Sequence, residues 1–317
     1  MVQEHGIYWV AGIAGGLLAV ATVIGGALAA WQAKRRAEVS AKGAIRNYLA
    51  RVASSWVMVA VLVGALVAGE WALLSAFSIV SWIGLHEFLS QRGIAWREHR
   101  TLVSACFGLI ALQYSLVAIA RVDLFLNVLP AAAFFALPAL VVIARDTKGM
   151  LQLCGRAQWG VMVAGYGLSH LTGLFLVRIP GADAPGALLI AYVIVVNVLS
   201  DTMQYAVGKS LGRTPLHSAV SPNKTVEGLI GGGLIAILAG TALWWLTPFG
   251  PWACAELSAA IVTAGTLGGL VLSAVKRDLG VKDWGQLIPG HGGVLDRADS
   301  LCFAAPVAWW IVRGIAG

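Results

Sequence analysis

The densest group of side chains capable of chemistry lies in the polar stretch between residues 276 and 299. Its carboxylates are the hard oxygen ligands that Mg²⁺ prefers, and its basic side chains suit phosphate oxygens. A central glycine-rich turn permits positive φ, so backbone N–H groups can approach an anion closely. These features predict a site for a metal-bound nucleotide triphosphate. The alternative, a solvated loop with incidental ion pairs, does not account for Gly-His-Gly-Gly beside Asp-Arg. The group comprises Lys276, Arg277, Lys282, Asp283, Pro289-Gly290-His291-Gly292-Gly293, Asp296, Arg297 and Asp299.

A second polar segment runs from Asp201 to Glu227. Asp201 lies near the end of an apolar run, where an unpaired carboxylate is costly and therefore indicates a function. Gly208-Lys209-Ser210 resembles the end of a phosphate-binding P-loop, but that motif needs a glycine at position 203, where Met203 stands. The run Ser221-Pro222-Asn223-Lys224-Thr225 is typical of a helix N-terminus with Glu227 in its first turn. Such a terminus serves either as an anion site or as a simple cap.

One acid stands apart from these two segments. Glu87 follows His86 near the end of an earlier apolar run. A buried glutamate at a membrane boundary is more often functional than structural, so Glu87 is a further candidate for the same site.

The composition places all of these residues at a membrane. The chain has 317 residues, of which 59% are hydrophobic and 12% are charged, whereas soluble domains carry about 25% charged residues. Runs of about 20 apolar residues cross a hydrocarbon core of about 30 Å as helices. The sequence therefore predicts an all-α polytopic membrane bundle of about ten transmembrane helices, with a break at Glu70. The expected spans are 7–31, 52–69, 71–89, 102–120, 122–143, 159–177, 187–207, 228–247, 254–274 and 299–316.

The distribution of charge gives an orientation. Between these spans, alternate loops hold all of the 22 basic residues except Arg121, Arg178 and Arg313. Because basic loops stay in the cytoplasm, both polar segments are expected at the cytoplasmic face of a bacterial-type inner membrane, with both termini outside. The net charge of +7 is explained by these loops, so no nucleic-acid partner is expected.

The first span is set apart from the rest of the chain. It ends in Ala27-Leu28-Ala29, which fits a signal-peptide cleavage site, but Met1–Gly6 carries no Lys or Arg and the apolar stretch is longer than such peptides need. An uncleaved helix is the favoured interpretation. The expected organisation is therefore an added helix with a basic linker over residues 1–40, followed by one membrane domain over residues 41–317.

The spacing of the polar residues resembles a known family. The pattern Ser273-x-x-Lys276-Arg277-x₄-Lys282-Asp283-x₄-Ile288-Pro289-Gly290-His291-Gly292-Gly293-x-x-Asp296-Arg297-x-Asp299 is similar to the signature of the CDP-diacylglycerol synthases, or phosphatidate cytidylyltransferases. Ser221-Pro222-x-Lys224-Thr225-x-Glu227-Gly228 and Asp201-x-x-x-Tyr205-x-x-Gly208 resemble another region of this family, and the helix with Glu87 resembles its early acidic helix. The resemblance covers about residues 46–317.

The resemblance implies a reaction in which CTP and phosphatidic acid give CDP-diacylglycerol and pyrophosphate. The expected partners are CTP, phosphatidic acid and membrane lipids, with Mg²⁺ as cofactor; a second cation and a homodimer are left open. The implied catalytic residues are Lys276, Arg277, Lys282, Asp283, His291, Asp296 and Arg297. The implied substrate-binding residues are Glu87, Asp201, Lys209, Arg213, Ser221, Lys224, Thr225, Glu227, Gly290, Gly292 and Gly293. The implied metal ligands are Asp201, Asp283, Asp296 and Asp299.

One position departs from the family pattern. Many bacterial members carry Leu-Gly-Asp shortly before the signature, whereas this chain has Leu267-Gly268-Gly269 and lacks that carboxylate. With Gly212-Arg213-Thr214-Pro215-Leu216, this resembles the eukaryotic branch, and it leaves the metal arrangement open. A cytidylyltransferase acting on an isoprenoid or archaeal-type lipid phosphate is an alternative. A transporter or a non-catalytic relative is less well supported, because no internal repeat is seen and the charged site residues other than the one at position 269 are retained.

Overall fold

The computed structural model describes residues 39–91, 99–144, 149–182, 185–217 and 219–316, with the side chains of 39–45 left out, and isolated positions between 6 and 27. These residues are almost entirely helical, as expected of a chain whose backbone hydrogen bonds must be satisfied within lipid. The α-helices are α1 (Val39–Ala68), α2 (Glu70–Leu89), α3 (Arg100–Ala118), α4 (Val122–Ala131), α5 (Leu137–Ile143), α6 (Met150–Gly160), α7 (Leu168–Gly173), α8 (Gly186–Leu211), α9 (Gly233–Ala242), α10 (Pro251–Asp278), α11 (Leu295–Ala298) and α12 (Leu301–Ala316).

Several of these α-helices are joined by π-helical segments or 3₁₀ turns. Helix α4 contains Pro130, which removes one backbone donor, and a π-helical segment follows it directly. The remaining elements are two short strands, β1 (Pro215–His217) and β2 (Ser221–Thr225), π-helical segments at Ala132–Ala136, Val161–Gly167 and Gly228–Gly232, and 3₁₀ turns at Leu174–Leu176 and Trp244–Leu246.

The predicted spans agree with the helices. Seven helical stretches among the described residues are long and apolar enough to cross a bilayer. The shorter helices Gly228–Ala242 and Leu301–Ala316 lie where two further spans were predicted. The predicted break near Glu70 is confirmed, because Gly69 separates α1 from α2 with φ of +96°, a conformation that favours glycine. The predicted span 7–31 lies for the most part outside the described residues.

The helices of the later part of the chain are the most buried in the bundle. In the span Met150–Leu176, 72% of the most apolar window is buried within the chain, against 11% in Arg46–Ala68. Helix α1 therefore lies at the periphery, while α10 packs against α8, α9 and α12 in the interior. Helices α2, α8 and α10 end on the side of the bundle where α12 begins, and the two polar segments lie there together.

Removing residues 1–40 is expected to leave catalysis largely intact. Contacts between the described positions of this segment and the bundle include a hydrogen bond of 3.0 Å from the Trp56 indole to Thr22 and a distance of 6.3 Å between the rings of Trp9 and Trp245. Gly6 is also buried close to Leu188. Turnover of CTP by the truncated and full-length proteins, compared at equal amounts of folded material, tests this. Loss of activity in a well-folded truncation would show that the first span belongs to the catalytic body.

Candidate active site

A buried ion pair lies at the centre of the site. Lys276, in the last turn of α10, places its Nζ 2.8 Å from Oδ1 of Asp296 in α11, and these side chains are 9% and 3% exposed. Asp299 is a second acidic neighbour of the same ammonium, with its Oδ2 at 3.6 Å. A lysine buried to this extent needs such partners, because an unpaired charge in this position would cost several kcal/mol. The first and last charged residues of the predicted signature, Lys276 and Asp299, are therefore close together in the fold.

The other oxygen of Asp296 organises the loop between α10 and α11. Its Oδ2 accepts hydrogen bonds from the backbone N–H groups of Trp284 at 2.7 Å and Gly293 at 2.9 Å. Gly292 has φ of +87°, and a Cβ atom there would lie 3.0 Å from this oxygen. The glycines of the turn are therefore required for the loop to fold around the carboxylate.

Glu87 supports the same loop from the end of α2. Its side chain is buried, and its two oxygens accept hydrogen bonds from the N–H groups of Val294 at 2.9 Å and Leu295 at 2.8 Å. A Cβ atom at Gly285 or Gly293 would lie 2.5 Å from these oxygens. The structure thus brings Glu87 into the site through backbone contacts, and direct binding of substrate by Glu87 stays a prediction.

Helix α1 holds the glycine-rich turn from outside. Arg51 Nε donates a hydrogen bond to the carbonyl of Gly290 at 2.8 Å, and Ser54 Oγ lies 2.7 Å from His291 Nδ1. The same hydroxyl lies 2.9–3.1 Å from backbone carbonyls, including that of Pro289. Since its single proton is attracted to these carbonyls, the arrangement favours an Nδ1–H that donates to Ser54 and leaves Nε2 as the acceptor.

The surroundings of His291 disfavour its protonated form. Burial lowers the pKa of its imidazole, and the nearby guanidinium groups of Arg297 and Arg51 lower it further. His291 was predicted from the sequence, whereas its neighbours Arg51 and Ser54 were not. They lie three residues apart and so share one helix face, but their partners are more than 230 positions away. No local pattern therefore indicates this contact.

Replacing Ser54 with alanine is expected to lower the rate of CTP turnover about tenfold, because hydrogen bonds to the turn are lost at about 1 kcal/mol each. Ser54→Thr retains the hydroxyl and should stay close to the unaltered rate. The matched control is Ser75→Ala, which removes an exposed hydroxyl that bonds only within its own helix, to Trp71 O. An unaltered rate in Ser54→Ala would contradict a positioning role for this residue.

Two carboxylates lie side by side next to the ion pair. Ser300 Oγ donates a hydrogen bond to Asp201 Oδ2 at 2.8 Å, and the Ser300 N–H donates to Asp299 Oδ1 at 2.8 Å. Asn197 in turn donates to Ser300 Oγ at 2.8 Å. Burial raises the pKa of Asp299 to about 6; Lys276 opposes this shift and the Asp201 carboxylate adds to it. Asp201 and Asp299 thus form a closely spaced acidic pair at the membrane end of the loops.

The second polar segment folds differently from the prediction. Ser221–Thr225 forms strand β2, paired antiparallel with β1, and helical structure begins only after Thr225. The capping interpretation is confirmed in part, because Thr225 Oγ1 accepts a hydrogen bond from Gly228 N at 3.1 Å. Glu227 instead accepts from the N–H groups of Arg213 at 3.0 Å and Thr214 at 3.1 Å, and these bonds lower its pKa to about 2. Glu227 therefore connects the two ends of the β1–β2 hairpin through hydrogen bonds.

The hairpin carries Lys224 over α10. A Cβ atom at Gly269 would lie 3.2 Å from Lys224 Nζ. The ammonium thus lies beside the backbone at the position where the sequence lacks the expected carboxylate. The remaining predicted basic residues and Asp283 are more exposed, and Arg277 donates to Val281 O at 3.0 Å. The exposed members are Lys209, Arg213, Arg277, Lys282, Asp283 and Arg297.

The chain is similar to proteins of a known family. Residues 49–314, which contain every predicted site residue, match the model of the cytidylyltransferase family. The chain belongs to the cytidylyltransferase family. It is 36% identical to the uncharacterized protein YnbB of Escherichia coli K12 over 253 residues, covering 77% of this chain and 85% of that protein.

Other relatives carry a functional name. A phosphatidate cytidylyltransferase of Synechocystis is 33% identical over 286 residues, covering 83% of this chain and 95% of that protein. One of Mycobacterium leprae is 48% identical over 116 residues, covering 35% and 36%. The predicted resemblance to the CDP-diacylglycerol synthases is thereby confirmed. The chain is a CTP-dependent nucleotidyltransferase and a multi-pass membrane protein.

A cytidylyltransferase of this kind was predicted to use Mg²⁺, and two of its acids fit that ion. Among the described residues, no group of three or more His, Cys, Asp or Glu side chains is arranged to hold a metal. Mg²⁺ is commonly bound by only one or two carboxylates together with substrate phosphates and water. Asp201 and Asp299 meet this requirement, whereas Asp296 already accepts three hydrogen bonds from the protein. The roles of Asp201, Asp283, Asp296 and Asp299 as metal ligands all stay predictions.

Proposed function

We propose that this chain transfers CMP from CTP to phosphatidic acid and releases pyrophosphate. A phosphate oxygen of phosphatidic acid forms a bond to the α-phosphorus of CTP, and the bond from that phosphorus to the β-phosphate oxygen breaks. The attacking oxygen is already anionic, so no strong general base is needed. The names of the Synechocystis and M. leprae relatives support this choice of lipid.

The observation that carries the proposal is the grouping of fixed cations and an acidic pair at one end of the bundle. Lys276 and Lys224 reach this point from α10 and β2, and Asp201 and Asp299 lie next to them. Two anionic substrates must be brought together here, so most of the catalysis is charge neutralisation and positioning. Mg²⁺ held by Asp201 and Asp299 would supply further neutralisation of the triphosphate.

The position of the site suits a lipid substrate. Helices α2, α8 and α10 end beside the loop, so the site lies where a lipid headgroup meets water. The alternation of basic loops supports a cytoplasmic site in a bacterial-type inner membrane, where CTP is available. Phosphatidic acid would enter sideways from the membrane, and CTP would enter from the aqueous side past the exposed basic residues.

The choice of lipid is tested with a panel of lipid phosphates. Purified protein is incubated with labelled CTP and, separately, with phosphatidic acid, an isoprenoid phosphate and an archaeal-type ether-linked phosphatidic acid. Transfer of label to phosphatidic acid at the highest kcat/KM is expected. A higher kcat/KM for either of the other lipids would assign the enzyme to that lipid instead.

The glycine at position 269 leads to a prediction about cations. We expect the enzyme to need magnesium but to gain little from added potassium, because the Lys224 ammonium already lies beside Gly269. Gly269→Asp would place a carboxylate against this ammonium and partly neutralise it, so added potassium should then stimulate the rate more. Titrations of both cations against rate test this, with Gly269→Asn as the uncharged control. Strong potassium dependence in the unaltered enzyme would contradict the prediction.

A further inference from the structure

Three basic residues lie outside the alternate loops that hold the other Lys and Arg side chains, and they are close together in the fold. Arg121 precedes α4, Arg178 follows the 3₁₀ turn Leu174–Leu176, and Arg313 is in the last turn of α12. All three are at the end of the bundle opposite to the candidate active site. Basic residues are uncommon on that side of a membrane protein. Their convergence at one place therefore calls for a physical reason.

A cavity of about 530 Å³ lies among these residues. Arg178, Arg313 and Asp123 line it together with the apolar side chains of Phe175 and Trp309, and Arg121 lies between two further lining residues at positions 120 and 122. The cavity thus has a charged rim at the end of the bundle and an apolar wall along it. This combination matches an amphiphile with an anionic headgroup.

Among the described residues, the arginines that line this cavity are not held in ion pairs. In the part of the chain that the structure describes, the ion pairs within 4.0 Å are those of Lys276 at the other end, and neither Arg178 nor Arg313 has a carboxylate that close. The Arg313 guanidinium lies 5.2 Å from the Trp309 ring centre and 5.8 Å from that of Trp310. Stacking holds this group in place and leaves its edge, with the N–H donors, for an anion.

We propose that this cavity binds the phosphate group of an anionic phospholipid from the leaflet opposite to the active site. Arg178 and Arg313 would donate to the phosphate oxygens, and the chains of the lipid would lie against Phe175. Asp123 accepts hydrogen bonds only, so it favours a headgroup that also carries hydroxyl donors, as phosphatidylglycerol does. The apolar wall distinguishes a lipid from free phosphate, which would use the arginines alone.

The test measures binding of short-chain phosphatidylglycerol to the full-length protein in a neutral detergent, with phosphatidylcholine and inorganic phosphate as separate probes. Arg178→Gln/Arg313→Gln should bind phosphatidylglycerol about 30-fold more weakly, at about fivefold for each arginine. The matched control is Arg46→Gln/Arg100→Gln, which removes two exposed arginines from the active-site end and should bind as the unaltered protein does.

The outcomes separate the sources of the phosphate. Phosphatidylglycerol binding that inorganic phosphate and phosphatidylcholine do not reproduce supports the proposal. Equal affinity for inorganic phosphate would show that the cavity binds a soluble anion and would contradict the proposal of a lipid ligand. Unchanged phosphatidylglycerol binding in the double variant would overturn the site itself. If the double variant does not fold, Arg178→Gln alone must still weaken binding about fivefold, and unchanged binding there contradicts the proposal.

Discussion

Asp296→Asn is expected to lower CMP transfer by at least about 100-fold. The substitution removes the charge 2.8 Å from the buried Lys276 ammonium and turns an amide donor or a neutral oxygen toward it. Breaking a buried ion pair on one side costs about 3–5 kcal/mol, because the remaining charge is left without compensation. The same side chain accepts the N–H groups of Trp284 and Gly293, so the loop geometry is disturbed as well. Release of pyrophosphate that depends on the lipid gives the measurement.

Two companion variants separate chemistry from folding. Asp278→Asn removes an exposed acid from the end of α10 and should leave both rate and stability unchanged. Lys276→Met/Asp296→Asn removes both charges, so it should regain much of the stability lost in the single variant while remaining inactive. High activity in this double variant would show that the ion pair only supports the fold, and near-normal turnover in Asp296→Asn would refute the site assignment.

Lys224→Ala is expected to lower kcat/KM about 100- to 1000-fold. Its ammonium lies beside Gly269, and this glycine has no side chain that could hold a cation in its place. Loss of one pre-organised charged contact to a transferring phosphoryl group typically costs about 3–4 kcal/mol. Steady-state rates at varied CTP, measured at saturating lipid, give the value.

Two control variants accompany Lys224→Ala. Lys224→Arg retains a cation in the hairpin and should recover part of the rate. Arg100→Gln removes an exposed basic charge at the start of α3 and should have no effect. If Lys224→Ala turns over CTP at the rate of the unaltered enzyme, the hairpin is only a solvated loop and the proposed role of this lysine is wrong.

The membrane architecture follows from local sequence because each span must satisfy its own backbone in lipid. The apolar runs alone therefore locate most of the helices, and Glu70 marks the break that Gly69 produces with its positive φ. The signature between 276 and 299 could also be recognised, since its charges are close in sequence. Its actual pairing, Lys276 with Asp296, joins residues only 20 positions apart.

The remaining features depend on contacts that no local pattern contains. The run from Ser221 to Thr225 contains Pro222 and good capping residues, so it resembles a helix start, yet pairing with Pro215–His217 makes it a strand. Ser54 and Arg51 lie on the peripheral helix and meet the glycine-rich turn only after folding. Glu87 was predicted to be functional from the cost of burying a carboxylate, but its backbone partners at Val294 and Leu295 depend on the tertiary structure.

Transfer of CMP to phosphatidic acid can be followed directly with two differently labelled forms of CTP. Purified enzyme with Mg²⁺ and phosphatidic acid is given CTP labelled at the α-phosphate or at the γ-phosphate, and the lipid is extracted into organic solvent. The α-label is expected in the lipid fraction and the γ-label only in pyrophosphate, and both signals should vanish in Asp296→Asn. Absence of α-label from the lipid, or the presence of γ-label in it, would contradict CMP transfer to phosphatidic acid.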